Sequence, residues 1–148
     1  KGLPCEANSV DILYSSHVLE HLPLKEFRAS LKECLRILKS GGTFRAVVPN
    51  LRYHIDEYLN STSNTKSIDF CLQSGLGTES YANPLSRMRG DAHHIMYDLE
   101  TLENELKRAG FAYIRQAFYG DSHIKAFLEV EDEERWAYPS CIGFECIK

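Results

Sequence analysis

The stretch Asp11-Ile12-Leu13-Tyr14-Ser15-Ser16-His17-Val18-Leu19-Glu20-His21 decides how this chain folds. Residues 11–14 are a short, mostly apolar run with β-propensity; Ser15, Ser16 and His17 break it, and Val18 and Leu19 open a helical pattern. The pattern predicts a strand from Asp11 to Tyr14 that ends in a polar crest. In an open α/β sheet, ligands sit outside the carboxyl ends of the strands, so Ser15, Ser16 and His17 would face whatever is bound.

Working outward, Pro23 suits a first helical turn, and Phe27, Leu31, Leu35 and Leu38 recur at steps of four, four and three. They predict a helix from about Leu24 to Lys39, stopped by Gly41-Gly42. Phe44, Ala46, Val47 and Val48, bounded by Gly42 and Pro49, form a near-continuous apolar run of the kind that makes a strand buried on both faces. Strand, helix, strand is a right-handed parallel crossover, half of a doubly wound sheet. On the amino-terminal side, Lys1 to Val10 is a loop with Gly2, Pro4 and Asn8 as turn residues. The opening Lys1, where a Met would stand, is expected to be a processed or truncated start.

Beyond the second strand the pattern loosens. Leu51, Ile55, Tyr58 and Leu59 predict a helix, residues 60–65 a polar loop, and Ile68 to Leu72 another helical turn or two. Residues 75–90 look irregular, so the whole of about 51–97 is taken as a substrate-covering insertion leaving the ligand side of the sheet. Asp98 is a good N-cap for a helix carrying Leu99, Leu102, Leu106 and Ala109, and Gly110 supplies its left-handed stop. Phe111 to Phe118 and Ile142 to Ile147 are the last strands. The acidic run Glu129, Glu131, Asp132, Glu133, Glu134 is expected to be solvated surface.

With 148 residues, 43% of them hydrophobic, the chain is long enough for one layered core and too short for two full domains, so residues 1–148 are taken as a single domain. A net charge of -4 and a pI near 5.9 give no electrostatic footprint for nucleic acid or an anionic membrane. The five cysteines (Cys5, Cys34, Cys71, Cys141, Cys146) are odd in number and lack a CxxC pair. They suit small buried thiols in a reducing, cytoplasmic setting rather than a disulfide framework.

Taken together, NSVDILYSSHVLEHL, the helix ending LRILKSGG, TFRAVVPNL, HHIMYDLETLENELKRAGF and the terminal CIGFECIK resemble the carboxyl-terminal part of a class I S-adenosylmethionine-dependent methyltransferase of the small bacterial type. The resemblance implies an α/β, Rossmann-like methyltransferase sheet lacking its first three strands: order 4-5-7-6, with the last strand antiparallel. It also implies S-adenosylmethionine as cofactor and methyl transfer to a small-molecule or sugar acceptor, at oxygen. Two family features have no counterpart in this sequence: a glycine-rich loop after an opening strand, and an acidic residue closing the next one. The first strand would then be an open edge, expected to be covered by an amino-terminal segment or by a homodimer partner. A non-catalytic methyltransferase-like binding or dimerisation module is the alternative, and a nicotinamide-dependent enzyme, which also needs the glycine loop, ranks below both.

By the resemblance, Ser15, Ser16 and His17 line the methionine end of the cofactor and the transfer site. His93 and His94, ending the insertion, are the candidates for a general base on an acceptor hydroxyl, with His17 as a further catalytic candidate. Asn50, Arg52 and Tyr53 come directly after the second strand and are candidate acceptor contacts; Arg87 and Arg89 would suit an acidic acceptor. The site is expected to be metal-free. His17, Glu20 and His21 fall at i, i+3 and i+4, ligand geometry on a helix, and would favour zinc, manganese or iron over magnesium if an ion were bound. His54 and His123 have no supporting context.

Overall fold

The computed structural model describes residues 2–74 and 93–148. Gly75, Gly77, Arg87, Arg89 and the irregular stretch expected around them lie outside the described residues.

Strand β1 (Val10–Ser16) leads through a 3-10 turn (Leu19–His21) to helix α1 (Leu24–Ile37) and strand β2 (Leu38–Pro49). Helices α2 (Leu51–Asn60) and α3 (Lys66–Gln73) come next, then α4 (Leu99–Ala109), β3 (Ala112–Ala117), the short helix α5 (Lys125–Leu128), a 3-10 turn (Glu133–Trp136) and β4 (Cys141–Ile147). The sheet order is β1-β2-β4-β3. Strands β1 and β2 are parallel, and β4 runs antiparallel to both of its neighbours, which is the order and direction expected from the sequence. Strand β1 is an edge of this sheet.

Alternation along β2 separates two cores. Phe44, Ala46 and Val48 face α1 and α4, where Phe27, Leu31, Leu102 and Leu106 are fully buried. Burying each of these side chains contributes about 1.5–3 kcal/mol. On the other face, Val47 packs with Ala117 and Trp136, and the Trp136 indole N–H donates to the Tyr14 hydroxyl at 2.8 Å.

Several expectations shift. Helix α1 ends at Ile37, before the glycines, because Leu38 is drawn fully into the core and turns extended. Gly41-Gly42 instead makes a bulge in β2: pairing jumps from Val10↔Leu38 to Ile12↔Thr43. Gly41 takes φ +77°, and a Cβ on Gly42 would sit 2.9 Å from the Lys39 carbonyl oxygen. Ser15 and Ser16 belong to β1, so the polar crest starts at His17. The acidic run is not all surface, because the Glu131 side chain is fully buried against Arg45. Arg45 also donates to Asp121 (2.9 Å), Glu145 (3.2 Å) and the Phe118 carbonyl (2.7 Å), with its guanidinium 4.4 Å above the Trp136 ring. Of the free cysteines, Cys34 and Cys146 are buried and Cys141 is half-buried, whereas Cys5 and Cys71 are exposed. Among the described residues, no helix is long and apolar enough to cross a membrane.

Candidate functional site

The carboxyl ends of β1 and β2 lie side by side. Ser15 pairs with Ala46 and Ser16 with Val47, and the His17 N–H donates to the Val47 carbonyl at 3.0 Å. Beyond Pro49, the Asn50 N–H donates to the Ser140 carbonyl (2.8 Å) and the Leu51 N–H to the Tyr97 carbonyl (2.9 Å). The segment around Tyr97, which packs on Phe27 with ring centroids 4.7 Å apart, is thereby held over these ends.

His17 takes φ +51° and the chain then enters the 3-10 turn, so His17, Glu20 and His21 do not share one face of an α-helix as the spacing suggested. The turn folds the Glu20 carboxylate inward until it is fully buried. Its Oε1 lies 3.3 Å from His17 Nδ1, 3.8 Å from His21 Nε2 and 4.0 Å from His93 Nε2. These are ion-pair distances, yet among the described residues neither carboxylate oxygen has a partner with hydrogen-bond geometry. The Glu20 carbonyl accepts from the amides of His94 (2.8 Å) and Ile95 (3.2 Å), pinning the distant segment to the turn.

His93 and His94, grouped by the sequence, separate. His94 is exposed and contributes its backbone; His93 is half-buried, with Nδ1 2.7 Å from the Ser74 carbonyl and its ring edge-on to His21 at 4.8 Å. A carbonyl only accepts, so Nδ1 carries the proton and Nε2 presents a lone pair toward Glu20 and His21. Burial pushes the His93 pKa down, against the Ser74 carbonyl and Glu20. His54, buried on α2, is lowered mainly by burial.

His17 is pushed up to about 10, first by the Cys141 thiol and then by Glu20 and the Arg135 carbonyl, with burial opposing. Cys141 Sγ and the Arg135 carbonyl oxygen lie 3.8 Å and 2.9 Å from its Nε2. Both ring nitrogens of His17 thus face acceptors, Nδ1 the Glu20 carboxylate at 3.3 Å and Nε2 the Arg135 carbonyl. Cys141, Ser74 and Arg135 were not singled out from the sequence; they act through chain-distant contacts that no local pattern announces.

The acceptor candidates fare differently. Asn50 is committed to structure, its Oδ1 capping α2 at the Arg52 N–H (3.1 Å) and its Nδ2 donating to the Pro139 carbonyl (2.8 Å). Arg52 is exposed and pairs with Asp56 at 3.3 Å. Tyr53 is half-buried, its ring 5.4 Å from that of His54. A cavity of about 790 Å³ runs along the free side of β1 beneath α1, and Ser15, Ser16, Val18 and Leu19 line its end nearest the site. That volume falls in the range of about 300–1,000 Å³ that small-molecule sites occupy.

Residues 1–46 match a family described as a methyltransferase domain. Among solved structures, the chain is similar to a SAM dependent methyltransferase from Archaeoglobus fulgidus (18% identity, TM-score 0.55, 97% of this chain and 62% of that one). It is also similar to a S-adenosylmethionine dependent methyltransferase from Mesorhizobium loti (17%, 0.55, 99% and 65%). A third is phosphoethanolamine N-methyltransferase 2 from Haemonchus contortus in complex with S-adenosyl-L-methionine (14%, 0.51, 97% and 34%). No curated protein matches. The fold matches the part of these S-adenosylmethionine-dependent methyltransferase structures that the chain covers, about three fifths of the length of the first of them.

Proposed function

We propose that this chain forms the acceptor-side part of a S-adenosylmethionine-dependent methyltransferase that methylates a small-molecule or sugar hydroxyl. The observation that carries this reading is the pair of adjacent parallel strand ends, at His17 and Asn50, roofed by the Glu20, His21 and His93 cluster. Open α/β sheets bind ligands at such ends. Bound S-adenosylmethionine supplies a methyl group already activated on a sulfonium, which leaves alignment and exclusion of water to the protein.

The residues present fit one end of that cofactor. The buried Ser16 hydroxyl, without a partner among the described residues, and the Ser15 end of the cavity would hold its methionine portion. His93, half-buried with Nε2 turned toward the cluster, is the group placed to take a proton from an acceptor hydroxyl.

The test is titration of S-adenosylhomocysteine into isotope-labelled chain, monitored by amide shifts. Shifts centred on residues 15–19 at millimolar ligand are expected. Shifts confined to β3 and α4, or none, would refute the assignment and favour the binding-module alternative. In the whole enzyme, His93→Ala should lower turnover with cofactor affinity nearly intact, while His94→Ala should leave both unchanged.

A further inference from the structure

We infer that Glu20, His21 and His93 form a binding site for one divalent transition-metal ion of the zinc and cobalt class. The three side chains come from two segments more than seventy positions apart in the chain. Each offers one ligand atom, and these atoms all lie within 4.8 Å of one another.

Three independent features point to a cation. The Glu20 carboxylate is fully buried, and its ion-pair contact to His17 Nδ1 at 3.3 Å lacks hydrogen-bond geometry, as do its contacts to His21 and His93, so among the described residues neither oxygen is held by a hydrogen bond. A buried carboxylate held so loosely costs free energy that a bound cation beside His17 would recover in part. Next, His93 Nδ1 donates to the Ser74 carbonyl at 2.7 Å, which fixes the tautomer with the Nε2 lone pair facing Glu20. Metal-ligating histidines almost always have such an outer partner. Finally, the Glu20 carbonyl accepts from the amides of His94 and Ile95, so the backbone itself holds one ligand-bearing segment against the other.

Geometry and donor chemistry select the ion. Ligand bonds of about 2.0–2.2 Å need ligand atoms some 3.0–3.5 Å apart. The present 3.8 Å (Glu20 to His21) and 4.0 Å (Glu20 to His93) close by small rotations of two imidazoles that are 27% and 16% exposed. Two imidazoles and one carboxylate suit zinc, cobalt or iron(II) and are a poor set for magnesium, which prefers oxygen donors. Three protein ligands leave a position open for water or an acceptor oxygen. His17, 3.3 Å from Glu20 and anchored to the Arg135 carbonyl, is a positioning residue for the carboxylate.

The site does not depend on the methyl-transfer reading, but it changes one of its steps. With a metal in place, His93 Nε2 is a ligand, and an acceptor hydroxyl would lose its proton as a metal-bound group.

The experiment is a titration of chelator-treated chain with cobalt(II) chloride, read by visible d–d absorption. Saturation at a single equivalent is expected, with displacement by zinc chloride, no displacement by magnesium chloride, and no thiolate-to-cobalt charge-transfer band. His93→Gln should weaken cobalt binding at least about tenfold, as should Glu20→Gln. His94→Gln, which alters only an exposed side chain, should leave it unchanged. Should Glu20→Gln fail to fold by circular dichroism, His93→Gln decides, because the His93 side chain, unlike Glu20, is only partly buried. Absence of d–d bands at saturating cobalt, binding unaltered in His93→Gln, equal competition by magnesium, or a thiolate band would each overturn the inference. Cobalt binding without any response to S-adenosylhomocysteine would sustain the metal site while removing the methyltransferase reading.

Discussion

Replacing Arg45 by Met should be among the most damaging single changes in this chain. Arg45 and Glu131 have fully buried side chains, and without the guanidinium Glu131 keeps one donor, the Gly120 N–H at 2.9 Å. Asp121 and Glu145 are 30% and 14% exposed and keep Arg115 at 2.7 and 2.8 Å, so the penalty concentrates on Glu131. Removing one member of a buried pair costs about 3–5 kcal/mol. With an unfolding entropy of about 2.1 cal/mol/K per residue over 148 residues, each kcal/mol lowers Tm by about 3 °C, giving a loss of about 10–16 °C. The double variant R45M/E131Q removes the stranded charge, keeps an acceptor for Gly120, and should recover most of the loss. Urea and thermal unfolding read by Trp136 fluorescence and circular dichroism measure both, Trp136 being the only tryptophan. A loss below about 1 kcal/mol in R45M, or losses that simply add in the double variant, would refute the reasoning.

Particular contacts set the other expected outcomes. Gly143→Ala should destabilise by about 1–3 kcal/mol in urea unfolding, since a Cβ there runs into the Trp136 ring and lies 2.7 Å from the Ala117 carbonyl. In thiol labelling of native protein near pH 8, Cys5 and Cys71 should react fast. Cys34 should resist, its thiol pushed up to about 11 chiefly by burial, and Cys146, raised likewise by burial, should resist with it. Asp98→Ala should cost about 1 kcal/mol near neutrality by removing the cap on Thr101 N–H (2.8 Å). The folded pKa of Asp98 is depressed below its ordinary value, first by the Thr101 side chain and then by the Thr101 N–H, so its contribution is present above the unfolded value and fades as pH falls below it. Wild type and variant should therefore converge in Tm at acid pH.

Much of the fold was legible because it rests on local periodicity. The spacing of Phe27, Leu31 and Leu35 marks α1, the apolar run from Phe44 to Val48 marks β2, and Asp98 and Gly110 bracket α4 with the cap and left-handed stop expected of them. The misplacement of Gly41-Gly42 has a physical cause. Glycines end helices and also make bulges, and the fully buried Leu38 decided between the two. Charge patterning misled at Glu131, whose partner Arg45 lies 86 positions away inside an apolar run. The site was legible only as a shortlist. Residue type selected His17, Glu20, His21 and His93, but whether an imidazole is protonated, free to accept, or turned away depends on the carbonyls of Arg135 and Ser74. Asn50, also shortlisted, is occupied as a helix cap.

The bond between the Glu20 carbonyl and two peptide amides bears on how this protein can vary. A latch made from main chain is indifferent to the identity of the exposed side chain at position 94, so that site can drift across nearly the whole residue alphabet while the gathered histidines and carboxylate stay in register; Ile95 is held also by its packing on the core. Proline, which lacks the N–H, is the exception at either position, and a single such replacement would unfasten the two halves of the pocket without touching any ligand atom.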